Sequence, residues 1–123
     1  MNGRLEVEIT VSKIYQMSVA SVYKHYINKV ERKGRTVAEL EQVVCWLTGF
    51  TKAELKRHLK SETNFEDFFK QAKLNKNAKK ITGKICGVRI EEIEDPLMKK
   101  IRFMDKLVDE LAKGRPIEKV IRS

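Results

Sequence analysis

Apolar and polar positions change period along the chain, and each change marks an expected element. Leu5, Val7, Ile9 and Val11 alternate with polar residues, the period of a strand. A single strand has nothing to pair with in this sequence. Residues 1–11 are therefore expected to form an N-terminal arm, either flexible or paired with another chain. After Ser18 the period becomes helical. Val19, Val22, Tyr23, Tyr26, Ile27 and Val30 share one face, and Gly34 follows a cationic last turn as a stop signal. Thr36 with Glu39, Thr51 with Glu54 and Thr63 with Glu66 each read as a capping box, in which the threonine hydroxyl and the glutamate satisfy each other's free backbone N–H groups. Each precedes an apolar face: Val37, Leu40, Val44 and Leu47; Leu55 and Leu59; Phe65, Phe68, Phe69 and Ala72.

The stretch LNKNAKK reads as a polar connector. Ala78, Ile81, Ile85 and Val88 then have helical spacing, with Gly83 and Gly87 on one side where another helix would approach. Residues 89–94 read as a short turn held by Ile90 and Ile93. Asp95-Pro96 is a strong helix start, since Asp caps well and Pro suits the first helical position. Leu97, Ile101, Met104, Leu107, Val108 and Leu111 give that helix its face, Gly114 ends it, and Pro116 opens a last short helix. The pattern predicts an all-α fold of at least about 60 % helix, well above the usual third. It is a compact bundle of about six short-to-medium helices in one domain over residues 12–123.

From Ser12 to Arg122 the chain resembles the small bacterial proteins grouped as domain-of-unknown-function family 2200. The segments that carry the likeness are ASVYKHYINKVERKGRT (Ala20–Thr36), CWLTGF (Cys45–Phe50), ITGKICGVRIEEIEDPLMKKIRFMDKLVDELAKG (Ile81–Gly114) and the closing EKVIR. The resemblance implies a compact helical protein of the bacterial cytosol. It implies no activity, ligand or catalytic residue that would transfer to this chain.

Charge adds one feature to this picture. The net charge of +9 is concentrated in residues 51–88, with 10 basic against 4 acidic groups, and no acid lies between Asp67 and Glu91. Lys73, Lys76, Lys79, Lys80 and Lys84 are thus candidate contacts to nucleic acid, since such a run neutralises phosphates without regard to sequence. No arginine or aromatic residue is interleaved among them to read or stack on bases. A second candidate joins Lys33, Arg35 and Thr36. There a helix start offers free N–H groups beside two cations, a favourable place for a phosphate or carboxylate.

The other chemistries find little support. His25, His58, Cys45 and Cys86 form no metal-ligand motif, so no metal or cofactor is expected. Cys45 and Cys86 read as small core residues, reduced and unbridged, and no catalytic residue is assigned. Tyr23, Tyr26, Trp46 and Phe50 read as core. Glu91, Glu92, Glu94 and Asp95 read as stabilisers of the helix start at Pro96. MNGRLEVEIT lacks an apolar leader-type run, and no stretch is long and apolar enough for a bilayer, so a cytoplasmic location without membrane contact is expected. The leading expectation is a non-enzymatic binding or protein-interaction module, with a protein partner or a second copy of itself. Nonspecific nucleic-acid binding through residues 70–84 is the first alternative. A small enzyme or metabolite-binding protein, whose pocket sequence cannot reveal, is the second.

Overall fold

In a computed structural model of the protein, which describes residues 13–122, helix accounts for 68 % of the described residues. After a helical turn at residues 13–16 come α1 (Val19–Arg32), α2 (Val37–Thr48), α3 (Lys52–Lys60) and α4 (Phe65–Gln71). A 3-10 segment (Lys76–Lys80), a two-stranded hairpin (β1, Lys84–Ile85; β2, Val88–Arg89) and a second 3-10 turn (Ile90–Glu92) lead to α5 (Pro96–Ala112) and α6 (Ile117–Val120). The fold is mostly helical, as the pattern predicts. The strand expected over residues 5–11 lies outside the described residues.

Helix α5 is the centre. It buries Ile101, Phe103, Met104, Leu107, Val108, Leu111 and Ala112. Helices α1, α2, α4 and α6 and the hairpin strand β1 all pack on it. From α1 come Val19, Tyr23, Tyr26 and Val30, and from α2 Leu40, Val43, Val44 and Leu47. Polar groups fix the packing direction. The buried Tyr26 hydroxyl donates to Asp105, which also receives Arg102 at 2.9 Å. Glu110, almost wholly buried, accepts two bonds from the Arg122 guanidinium at 2.6 and 2.7 Å, tying the chain's end to α5 beyond α6.

Two of the three expected capping boxes form, at Thr36 with Glu39 and Thr51 with Glu54. The third does not. Asn64 caps α4 by accepting from the Asp67 N–H, and the Thr63 hydroxyl instead meets His58 Nδ1 at 3.0 Å. Asn caps as well as Thr, and the shift by one residue lets the chain ends before α1 and α4 pair. The Val19 N–H donates to the Thr63 carbonyl at 2.8 Å, and the Phe65 N–H to the Met17 carbonyl at 3.1 Å.

The helix expected through Ala78, Ile81, Ile85 and Val88 is replaced by the 3-10 segment and hairpin. Ile85 pairs with Val88 across a two-residue turn in which Cys86 and Gly87 both have positive φ, +53° and +78°. Two left-handed residues in succession are what such a turn needs, and they are incompatible with a helix. Ala78, Ile81 and Ile85 are still buried, but Val88 is exposed on the hairpin, so the spacing reported burial for three of its four positions and conformation wrongly. The mostly helical fold class stands, with a small antiparallel hairpin beside the helices.

After α4 the chain crosses the C-terminal end of α2. The Lys73 and Asn75 N–H groups donate to the carbonyls of Thr48 and Leu47 at 2.8 and 2.9 Å, filling acceptors that the helix end leaves open. The crossing is close. A Cβ on Gly49 would lie 2.6 Å from the Lys73 carbonyl oxygen, and Gly49 has φ +76°. Gly49→Ala is therefore expected to cost clearly more than Gly87→Ala, which meets open space and carries only the left-handed penalty of about 1–2 kcal/mol. Urea unfolding of the two variants measures the difference, and equal losses would place no close crossing at Gly49.

Candidate functional site

The crossing delivers the lysine-rich connector to the N-terminal part of α5. On that helix Pro96, Lys99, Lys100 and Phe103 follow i, i+3, i+4, i+7 spacing and share one face. Facing them are Leu74 and Asn75 of the connector, Lys76, Ala78 and Lys79 of the 3-10 segment, and Ile81. Ile90 and Glu91 close one side. Between them lies a cleft of about 540 Å³, the size of a small-molecule site. Its floor is apolar, with Ala78, Ile81, Ile90 and Phe103 packed into the core and Leu74 and Pro96 reaching the open walls.

Its charge is one-sided. Lys76 and Lys79 come from the connector, Lys99 and Lys100 from α5, and no arginine lines the cleft. Among the described residues none of these four lysines forms an ion pair. Glu91 is the one carboxylate among the lining residues. Its Oε1 accepts the Gly83 N–H at 2.7 Å, and this bond holds its carboxyl below the ordinary glutamate value. Glu91 thus anchors the hairpin, and its carboxylate also attracts Lys99 on the same cleft. Asp95 is likewise used as the cap of α5, accepting from the Met98 N–H at 3.0 Å.

Lys76 and Lys79 are thus brought to a concavity together with Lys99 and Lys100. Lys73, Lys80 and Lys84 are exposed but do not line it. Lysines 99 and 100 were missed in the sequence, as was the burial of Phe103. Their i, i+3, i+4, i+7 spacing from Pro96 was the available signal.

At the other candidate, the helix start after Arg35 already holds an anion, the side chain of Glu39. Its Oε1 accepts the Thr36 N–H at 3.0 Å, and its Oε2 accepts Arg35 Nε and Nη2 at 3.1 and 2.7 Å. Arg35 Nη1 donates to the Arg115 carbonyl at 2.9 Å, linking this turn to the approach to α6. Lys33 is exposed and lines a separate groove with His25, Lys29 and Arg32. An outside anion at Thr36 would have to displace Glu39.

The thiols and imidazoles stand apart. Cys86 is exposed at the hairpin turn, contrary to its expected place in the core, because the left-handed turn carries it outward. Cys45 is half-buried, and burial pushes its thiol up, away from the thiolate that nucleophilic chemistry needs. His58 is buried between Phe50 and Phe68, with ring centroids 4.7 and 5.5 Å away, and burial lowers its basicity. Tyr23, Tyr26 and Phe50 are core residues as expected, and Trp46 is half-buried against them. Among the described residues no three His, Cys, Asp or Glu side chains converge as for a metal.

Fold and cleft together define a small, mostly helical protein organised around one central helix, with a lysine-ringed concavity at that helix's N-terminal end. The chain belongs to the family described as "Uncharacterized protein conserved in bacteria (DUF2200)", whose model matches residues 13–122. It is also similar to the uncharacterized protein SP1917, known from a crystal structure. The two share 50 % sequence identity and a TM-score of 0.83, over 88 % of this chain and 89 % of that one. No curated protein matches the chain. Among the described residues no helix is long and apolar enough to cross a membrane.

The Glu39 contacts carry a pH dependence. Arg35 first, then the Thr36 N–H, hold the Glu39 carboxyl below its ordinary value of 4.5. A carboxyl lowered by folding stabilises the fold above its unfolded value, and that contribution disappears as pH falls through its folded value. Glu39→Gln is expected to flatten the loss of stability below about pH 4.5, measured by urea midpoints at stepped pH. Thr36→Ala is expected to cost about 1 kcal/mol at neutral pH through the lost cap.

Proposed function

We propose that this protein is a non-enzymatic binding module of the cytoplasm and that its binding surface is the lysine-ringed cleft, which takes an anionic partner. The observation that carries this reading is the convergence of Lys76 and Lys79 with Lys99 and Lys100 around an apolar floor, with the neighbouring Glu91 engaged by Gly83. Like charges gathered at one concavity repel one another, and an anion relieves that repulsion while the concavity supplies contact area. The non-enzymatic part rests on the same lining. It offers ammonium groups and one committed carboxylate, without a nucleophile–base pair within reach of each other.

Nucleic-acid binding is a second reading, favoured by the exposure of Lys73, Lys76, Lys79, Lys80 and Lys84 along one continuous segment. The two readings share Lys76 and Lys79 and differ in the rest. Lys99 and Lys100 belong to the cleft alone, Lys73 and Lys84 to the basic segment alone.

The test is a titration of the protein with inorganic pyrophosphate at low salt, followed by amide chemical shifts. Residues 74–81, 90–91 and 96–103 are expected to move, and the movement to vanish in the double variant Lys79→Glu/Lys99→Glu. Shifts absent, or unchanged in that variant, would remove the cleft as the anion site. A random single-stranded RNA in gel shift separates the second reading. Binding that is lost in Lys73→Glu/Lys84→Glu and kept in Lys99→Glu would transfer the function to the basic segment.

A further inference from the structure

Resting on the reading of the cleft as an anion site, we infer that its ligand is a phosphomonoester carrying an apolar body, bound with the phosphate among the lysines and the body against Leu74 and Pro96. Three features of the cleft select this class.

The first is the type of cation. A planar carboxylate is best held by the two parallel donors of an arginine, and the cleft has none. Lysine ammoniums are compact point charges with donors that rotate freely. They suit a tetrahedral group with several oxygens and more than one negative charge, which neighbouring lysines from two sides can share.

The second is where the lysines stand. Lys99 and Lys100 follow just after the first turn of α5, near its positive end, where a cation is disfavoured. Lys76 and Lys79 face them across the cleft. A dianionic head group offsets repulsion from both pairs and from the helix end together, whereas a single negative charge leaves most of it in place.

The third is the wall. A site for inorganic phosphate alone needs donors on every side, as a helix start or a nest of N–H groups provides. Here, apart from Asn75 and Glu91, the surfaces beyond the ammoniums are a leucine, a proline and the packed edges of core residues, which offer a phosphate few donors and an alkyl or ring group good contact. The cleft volume of about 540 Å³ also exceeds what a bare phosphate fills.

The experiment compares octyl phosphate, butyl phosphate and inorganic phosphate on the full chain by calorimetry at low salt, with 1-octanol as the uncharged control. Affinity is expected to rise with chain length, with octyl phosphate at least about tenfold tighter than inorganic phosphate, since each buried methylene adds to binding. 1-Octanol is expected to bind at least about tenfold more weakly than octyl phosphate, since it cannot relieve the lysines' repulsion. Pro96→Glu puts a carboxylate on the apolar wall at a helix position that tolerates an acid, leaving the Asp95 cap in place. It is expected to abolish the chain-length effect. Leu74→Asn tests the opposite wall and is expected to reduce that effect independently, in case the first variant loses structure by circular dichroism. Inorganic phosphate binding as tightly as octyl phosphate, with both lost in Lys79→Glu/Lys99→Glu, would overturn the apolar body and leave the anion site standing. No binding of either, together with no pyrophosphate shifts, would overturn both. Octanol binding as well as octyl phosphate would overturn the role of the phosphate. Vesicles of phosphatidylcholine with and without phosphatidic acid identify the source. Pro96-dependent binding only to the acidic vesicles assigns a lipid head group with its proximal chain, and its absence alongside octyl phosphate binding assigns a soluble ester.

Discussion

The burial of α5 is the constraint on which the structure depends. A helix with an apolar stripe on one side can be covered by one or two neighbours. Helix α5 carries Ile101, Met104, Leu107, Val108, Leu111 and Ala112 on one side and buries Phe103 and Glu110 beyond the edge of that stripe, so it must be covered from several directions. Helices α1, α2 and α4 supply part of the cover, and α6 and the hairpin supply more. Three of these junctions add a directional polar contact: Tyr26 to Asp105, Lys106 to the Lys84 carbonyl at 3.1 Å, Glu110 to Arg122. Apolar burial brings the elements together, and these contacts choose among the orientations that burial alone would allow.

The cleft follows from where that cover thins. Over the first turns of α5 the partner is the connector after α4, a segment too short and polar to form a long helix of its own. It is nonetheless held, by two backbone bonds to the end of α2 and by the approach to Gly49. Lys76 and Lys79 therefore sit on a backbone fixed independently of any ligand. Less ordering remains to be done on binding, which favours affinity for a small partner.

What the sequence revealed divides along the same line. Helix starts were legible wherever one residue and its third neighbour settle the matter, as at Thr36, Thr51 and Asp95. At Thr63 the local rule admitted two caps, and the choice of Asn64 was made by tertiary contacts, His58 on one side and the strand-like pairing of Ser18 with Asn64 on the other. The hairpin was hidden because Ala78, Ile81 and Ile85 fit a helical period by burial alone, and because the first turn residue is Cys86 where asparagine or aspartate would have announced the turn. The lysine run was visible as charge. Its use was not, since Lys99 and Lys100 lie 20 or more positions from Lys76 and Lys79, and tertiary packing brings the two pairs together.

The same placement reverses what composition suggests about the start of α5. By sequence that region is acidic: Glu91, Glu92, Glu94 and Asp95 precede Lys99 and Lys100. A carboxylate's effect at a distance depends on what already surrounds it, and backbone donors absorb part of its charge at close range. Asp95 is turned onto the first turn of α5 and Glu91 onto Gly83, while Glu92 and Glu94 are exposed and do not line the cleft. The acids thus build the helix start and the hairpin, and the cleft beside them holds four lysines against the single carboxylate of Glu91. Lys29 and Lys113 pair with Asp109, whereas the four cleft lysines, like most lysines among the described residues, form no ion pair. What sets these four apart is their convergence on one apolar concavity, where contact area and concentrated charge act on a ligand together.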